Sequence, residues 1–241
     1  MYIVGKIISL VQLKGGVGRS TIATNLAGTL AESARVAIFD CDSPQFTSSH
    51  WLKQRRELFD IDEKLDLYKP TNYRSMATQL LKLKREYDFV VIDSPPRIDG
   101  FTRLAMACSD LTLFPLGPSA AEIWSVEEML NTIEEVKKVH KGFDGRILWN
   151  RFRSHINSAK QNAKEAKVSL KLPEMRQKLG LRVSYSEAMS EGLTVHEMDD
   201  KNARVEMWSL ASSIQRILFN QKHNNKLIKE VLLNFAKPTK P

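Results

Sequence analysis

The run Lys14-Gly15-Gly16-Val17-Gly18-Arg19-Ser20-Thr21 decides how this chain is read. Before it comes Lys6 to Leu13 (KIISLVQL), an apolar run that predicts a buried strand. After it, Ile22, Leu26 and Leu30 recur every fourth residue and predict a helix over Ser20 to Glu32. Glycines at 15, 16 and 18 let the backbone bend until successive N–H groups converge on an anion. The following helix adds the positive end of its dipole. Strand, glycine-rich loop and helix in this order are the context of a phosphate loop, with Ser20 where a hydroxyl ligates Mg²⁺ and Thr21 beside it.

The match to G-x-x-x-x-G-K-[ST] is incomplete. Leu13 stands at the first glycine and Arg19 at the lysine. Arginine keeps the charge but replaces a compact ammonium by a planar fork. The substitution predicts that nucleotide binding survives and hydrolysis is slow.

On either side of this loop, apolar β-like runs alternate with helical patterns. Arg35 to Asp40 (RVAIFD), Leu65 to Lys69, Asp88 to Asp93 (DFVVID), Leu111 to Leu116 and Arg146 to Asn150 read as strands. Tyr73 to Glu86, Thr102 to Cys108, Ala120 to His140, Ile156 to Leu170 and Asp199 to Phe219 read as helices. Nearly continuous apolar strands separated by helices imply an α/β, doubly wound, mostly parallel sheet covered on both faces, whose ligands lie at the carboxyl ends of the strands. The expected division is a nucleotide-binding domain over 1–220 and a basic C-terminal tail over 221–241. In that tail Gln221 to Asn225 reads as a linker and Lys226 to Ala236 as a short amphipathic helix.

Two strands end in acids. Asp40-Cys41-Asp42-Ser43-Pro44-Gln45 closes one, and Asp93 closes Phe89 to Ile92, followed by Ser94-Pro95-Pro96. A carboxylate there can orient water toward a phosphoryl group or hold Mg²⁺ through water. A plain acidic turn is the alternative for Asp40 and Asp42, as is a plain strand-end amide for Asn150.

The loop resembles the deviant Walker A motif, KGGxGK[ST], of the ParA/MinD family, and the acidic turn resembles that family's DxDPQ with Ser43 inserted. Trp51 to Arg56, Pro118 to Trp124 (PSAAEIW) and Arg182 to Gly192 resemble the ParA-type partition ATPases, so the likeness runs roughly from Lys6 to Leu218. It implies that Gly15, Gly16, Val17, Gly18, Arg19, Ser20 and Thr21 wrap ATP. Lys14 would reach across a nucleotide-bound homodimer to the partner's nucleotide, and Asn150 would read the adenine edge. Asp42 would orient or activate the attacking water, and Ser20, Asp93 and Asp40 would serve Mg²⁺. The partners implied are nonspecific DNA and a centromere-binding ParB-like adaptor that stimulates hydrolysis. A weakly hydrolysing scaffold for DNA transfer and a MinD-like membrane-associated positioning factor are the other readings.

Lys160, Lys164, Lys167 and Lys171 share one stripe of the helix over Ile156 to Leu170, beside an apolar stripe of Ala159, Ala163, Ala166 and Leu170. Together with Arg151 and Arg153 they form a surface that can track DNA phosphates; a solvated lysine face is the alternative. The net charge is +8, from 36 Lys and Arg against 28 Asp and Glu, which suits a polyanion partner. Leu227, Ile228, Val231, Leu232 and Phe235 share one face of the C-terminal segment, which could lie on a membrane or dock on protein. No apolar run approaches the roughly 18 residues of a membrane span. Met1 to Leu13 lacks a signal-peptide pattern. Cys41 and Cys108 fit neither a metal spacing nor a disulfide framework. A cytoplasmic, nucleoid-associated protein is expected.

Overall fold

A computed structural model describes residues 5–59, 64–154, 156–220 and 225–236. The first half alternates strand and helix: β1 (Lys6–Leu10), α1 (Arg19–Ala31), β2 (Val36–Asp40), α2 (Thr47–Leu58), β3 (Leu65–Tyr68), α3 (Tyr73–Glu86), β4 (Phe89–Asp93), α4 (Gly100–Cys108) and β5 (Leu111–Leu116). Then come α5 (Ala120–Glu127), α6 (Leu130–Val139), β6 (Gly145–Phe152), α7 (Asn157–Leu170), β7 (Glu174–Gly180), α8 (Val183–Ser190), α9 (Lys201–Asn220) and α10 (Asn225–Ala236).

The strands form one sheet in the order β3-β2-β4-β1-β5-β6-β7, and every pair is parallel. Successive side chains of a strand leave opposite faces, which is why the central strands need apolar residues throughout. Val90 and Ile92 enter a core with α3 to α7 and α10, while Phe89 and Val91 enter a second core with α1, α2, α8 and α9. Ala37 and Phe39 against Val36 and Ile38 split the same way on β2. Doubly wound α/β architecture is therefore the observed fold, and the sheet is wholly parallel among the described residues.

The carboxyl ends of β1, β2 and β4 lie side by side, with Leu10 opposite Asp93 and Asp93 opposite Asp40. At the other end of the sheet, buried Asp110 accepts from Ile7 N (2.8 Å) and pairs with Lys6 (3.5 Å) and Lys84 (3.3 Å). Burial of a carboxylate is tolerated there because both cations and a backbone donor meet it.

Several expectations are corrected. The strand expected to reach Leu13 ends at Leu10; Val11 N still donates to Leu113 O (2.9 Å) before the chain turns into the glycine loop. Ala120 to His140 is not one helix but two, α5 and α6, parted at Glu128 and Met129. The chain forms α2, β7 and α8 where no element was expected. The linker expected at Gln221 to Asn225 lies, but for Asn225, outside the described residues. Within α10, Ile228, Val231 and Leu232 are buried, and Phe235 stands edge-on to Tyr73 of α3 (centroids 6.2 Å apart). The apolar face of this helix thus covers α3 and α4.

Candidate functional site

The glycine loop is held from below. Gln12 is fully buried; its Oε1 accepts from Leu13 N (2.7 Å) and from Ser125 Oγ of α5 (2.9 Å), while its Nε2 donates to Pro115 O (3.4 Å). Gly16 and Gly18 adopt φ of +75° and +91°, the left-handed region open to glycine at little cost. A Cβ at Gly16 would meet nothing within 4 Å, so the loop faces open space; one at Gly18 would stand 2.6 Å from Asn150 Nδ2. Gly18 is the N-cap of α1, which has neither a side-chain cap nor an acid in its first turn. The helix therefore presents uncapped N–H groups and the positive end of its dipole to that space.

Asn150, expected to face a base, ends its strand at the same place. Its Nδ2 donates to Val17 O (2.7 Å), fixing the amide and leaving Oδ1 as the group turned elsewhere. Beside it opens a cavity of about 200 Å³ lined by Gly18, Thr21, Asn150, Arg151, Arg182 and Tyr185, among others. Its far wall is braced by Glu206, which accepts from Gly180 N (3.0 Å) and Arg182 Nη2 (2.7 Å). Arg151, expected with the lysine stripe, thus lines this cavity.

The acids differ in what they have left to offer. Asp40 Oδ2 accepts from Ser49 N (2.9 Å) and Ser49 Oγ (2.7 Å), so this carboxylate is engaged at the start of α2. Asp93 Oδ2 accepts from Ser48 Oγ (2.7 Å), while Oδ1 is buried with no partner. Burial pushes the Asp93 carboxyl up to about 7, against the Ser48 hydrogen bond and the neighbouring Ser20 hydroxyl, which lower it. Asp42 also has a buried, unpartnered Oδ1; burial raises its carboxyl, and the Arg19 charge opposes that rise. These two are the only buried carboxylate oxygens without a partner among the described residues.

Arg19 is 6% exposed and points inward. Its Nη1 donates to Gln12 O (2.5 Å) and Lys14 O (2.8 Å), its Nε donates to Ser94 O (3.0 Å), and its Nη2 lies 3.8 Å from Asp42 Oδ2. Lys14 itself is exposed. On α7, Lys160, Lys164, Lys167 and Lys171 are exposed over buried Ala159, Ala163, Ala166 and Leu170, and Arg153 is exposed before them; Lys167 stands 3.4 Å from Glu174. Sequence reasoning missed Gln12, Ser48, Ser49, Ser94 and Glu206. Only the Ser48-Ser49 pair, just after the acidic turn, carried a local signal, that of hydroxyls at a helix start.

A left-handed glycine loop between a central parallel strand and an uncapped helix, flanked by two strand-end acids, defines a P-loop nucleoside-triphosphate-binding domain. The AAA_31 family model, described as an AAA domain, matches residues 5–57 and 45–143. The chain belongs to this family, the ParA/MinD-type P-loop ATPases. It is 29% identical over 217 residues to the maintenance of carboxysome distribution protein A of Halothiobacillus neapolitanus, covering 88% of this chain and 94% of that protein. It is 28% identical over 243 residues to the chromosome partitioning protein ParA of Myxococcus xanthus, covering 85% and 86%. Among solved structures, the cobyrinic acid a,c-diamide synthase of Mycobacterium smegmatis with bound ATP analog and magnesium superposes with a TM-score of 0.71 at 18% identity, covering 88% of this chain and 95% of that one. At this identity the likeness shows a shared fold alone, so function has to be argued from the site.

Proposed function

We propose that this chain is an ATP-dependent dimerising switch that partitions a plasmid or chromosome. The observation that carries the reading is the pair of orphaned buried oxygens, Asp93 Oδ1 and Asp42 Oδ1, beside an uncapped glycine loop. Buried polar atoms are nearly always satisfied, and a site that leaves two carboxylates short is built for a cation and the groups it carries.

The residues fit ATP and Mg²⁺. No group of three or more His, Cys, Asp or Glu among the described residues could hold a metal alone. That suits Mg²⁺, which takes one or two carboxylates, water and phosphate oxygens. Ser20 and Asp93 would hold it, with Asp40 steering the start of α2 from behind. The loop from Gly15 to Thr21 would cradle the phosphates, and the cavity beside Asn150 takes a planar base against its Oδ1. Bound Mg·ATP supplies a polarised γ-phosphoryl group and the energy of its transfer. The protein's part is to keep Asp42 charged and aimed, with Arg19 as its counter-charge, and to hold a water in line. With its Nε and Nη1 held by backbone carbonyls, Arg19 has only Nη2 left to offer a phosphate, and hydrolysis would be slow.

Lys14, exposed on the rim, would cross to the second subunit's nucleotide and tie dimerisation to ATP. The dimer would bind nonspecific DNA through Lys160, Lys164, Lys167, Lys171 and Arg153, and a centromere-bound ParB-like adaptor would trigger release. The protein would work in the cytoplasm on the nucleoid. Burial of Ile228, Val231 and Leu232 against the protein's own helices favours this over a membrane-lying tail.

The test is ATP turnover and DNA binding by purified protein. Slow turnover that Arg19→Lys accelerates is expected; a wild type as fast as that variant refutes the role given to Arg19. DNA affinity should fall steeply with salt, and Lys160→Glu with Lys164→Glu should weaken binding to all sequences alike. Unchanged binding excludes this face.

A further inference from the structure

Arg19 does more than replace a charge in the loop. A guanidinium has five N–H donors in a rigid plane, and an ammonium has three about a point. Here one N–H on Nε and both on Nη1 reach Ser94 O, Gln12 O and Lys14 O. These carbonyls belong to three different places: the segment just after β1, the glycine loop, and the first residue after β4. Both N–H groups of Nη2 remain, with Asp42 Oδ2 at 3.8 Å too far for a hydrogen bond. The guanidinium as a whole is largely buried, and these donors lie beside the acid.

We infer that Arg19 is a mechanical tie between the phosphate loop and the segment that follows β4, so that phosphate arriving at the loop pulls on residues 94–99 through one rigid side chain. This rests on the proposed reading of the site as a triphosphate seat and adds how occupancy is reported. The free edge, Nη2, meets an incoming phosphate oxygen or Asp42. The opposite edge holds Ser94 O. Because the fork is planar, a shift of Nη2 moves Nε with it. Among the described residues, Ser94 is otherwise hydrogen-bonded only through its own hydroxyl and N–H, both to Leu10 O (2.7 and 3.3 Å). From Ser94 the chain runs through Pro95 and Pro96, which stiffen it, to Asp99, which caps α4 by accepting from Thr102 N (3.0 Å). Helix α4 packs in the same core as α3, α6 and α10. A signal that starts at a phosphate oxygen thereby reaches a helix on the opposite face of the sheet from α1. Lysine at this position could balance the charge and occupy some of these carbonyls, but it could not hold Ser94 O and face phosphate through one rigid plane.

Hydrogen–deuterium exchange on the full chain tests this in wild type, Arg19→Lys and Arg19→Gln, with and without Mg²⁺ and a nonhydrolysable ATP analogue. Far-UV circular dichroism and the thermal midpoint verify that each variant is folded; Arg19→Gln supplies the second variant should lysine disturb the loop. Without nucleotide, peptides covering 94–103 should exchange about tenfold faster in both variants, the equilibrium equivalent of losing one hydrogen bond to a charged group. Peptides of α9 should not change. With the analogue at saturation, wild type should gain protection across 94–103 and Arg19→Lys should bind yet lose most of that gain. Equal exchange at 94–103 in wild type and variants without nucleotide overturns the tie. So does an undiminished nucleotide response in Arg19→Lys. Failure of wild type to bind the analogue at all would instead overturn the reading of the site, while the nucleotide-free comparison still judges the tie.

Discussion

Replacing Asp93 by Asn should make the nucleotide-free protein more stable at neutral and alkaline pH, although the residue belongs to the site. The Asp93 carboxyl is fully buried, and burial raises it from 3.8 to about 7, with the Ser48 hydrogen bond and the neighbouring Ser20 hydroxyl opposing and the Asp40 charge adding to the rise. In the unfolded chain it titrates near its ordinary value. Between roughly pH 4 and 7 the folded state therefore binds more proton than the unfolded state, and stability falls as pH rises through that window. Below it the penalty is absent; above it the penalty is complete and constant. A shift of roughly three pK units corresponds to about 4 kcal/mol at most. Asparagine keeps the shape and an acceptor for Ser48 Oγ but carries no charge. In urea denaturation without divalent ions or nucleotide, Asp93→Asn should exceed wild type by up to about 4 kcal/mol at pH 8 and by less than half of that, up to about 1.7 kcal/mol, at pH 5. Taking the difference between variant and wild type removes the pH dependence of all other groups that the substitution does not touch. A difference that is equal at pH 5 and pH 8, or a variant less stable at pH 8, would refute the claim that an uncompensated buried carboxylate waits at the end of β4.

Three further outcomes follow from the packing. Gly18→Ala places a Cβ at φ +91°, 2.6 Å from Asn150 Nδ2, so it should cost about 1–3 kcal/mol in stability and at least about tenfold in affinity for a fluorescent ATP analogue. Asp110→Asn leaves Lys6 and Lys84 buried without their shared anion and should destabilise by about 3–5 kcal/mol in chemical denaturation, with nucleotide affinity unchanged. Leu232→Ala on α10, fully buried against α3 and α4, should cost about 2–5 kcal/mol in the same cooperative transition; a separate early transition of α10 alone would contradict its place in the core.

The sequence made the centre of the fold legible because burial on both sheet faces leaves no freedom at β1, β2, β4 and β5. Their apolar runs, and the acids that end β2 and β4, needed no partner to be recognised. The margins were harder. β7 reads Glu-Met-Arg-Gln-Lys-Leu-Gly, an edge strand in which only Met175 and Leu179 are buried, so its pattern is that of a polar loop. α2 buries Ser48, Ser49, Trp51 and Leu52 alone, a single short helical face on which only two residues are apolar. The break between α5 and α6 falls at Glu128 and Met129 with no glycine or proline to announce it. Within the site, Arg19 and Asp93 could be singled out from the loop and strand pattern, and Asp42 and Asn150 from the resemblance to the ParA/MinD family. What they touch could not. That Asp40 is engaged by Ser49, that Asn150 Nδ2 is held by Val17 O, and that Arg19 turns inward to Ser94 all depend on contacts between segments 9 to 133 residues apart.

The central claim is that Gly15 to Thr21, with Asp93, hold a nucleoside triphosphate and its magnesium ion. Isothermal titration of the purified, folded chain with ATP in the presence of Mg²⁺ tests it most directly. Saturable binding of one nucleotide per chain, weakened when Mg²⁺ is chelated, is the predicted result. No detectable binding of any adenine or guanine nucleotide would contradict it.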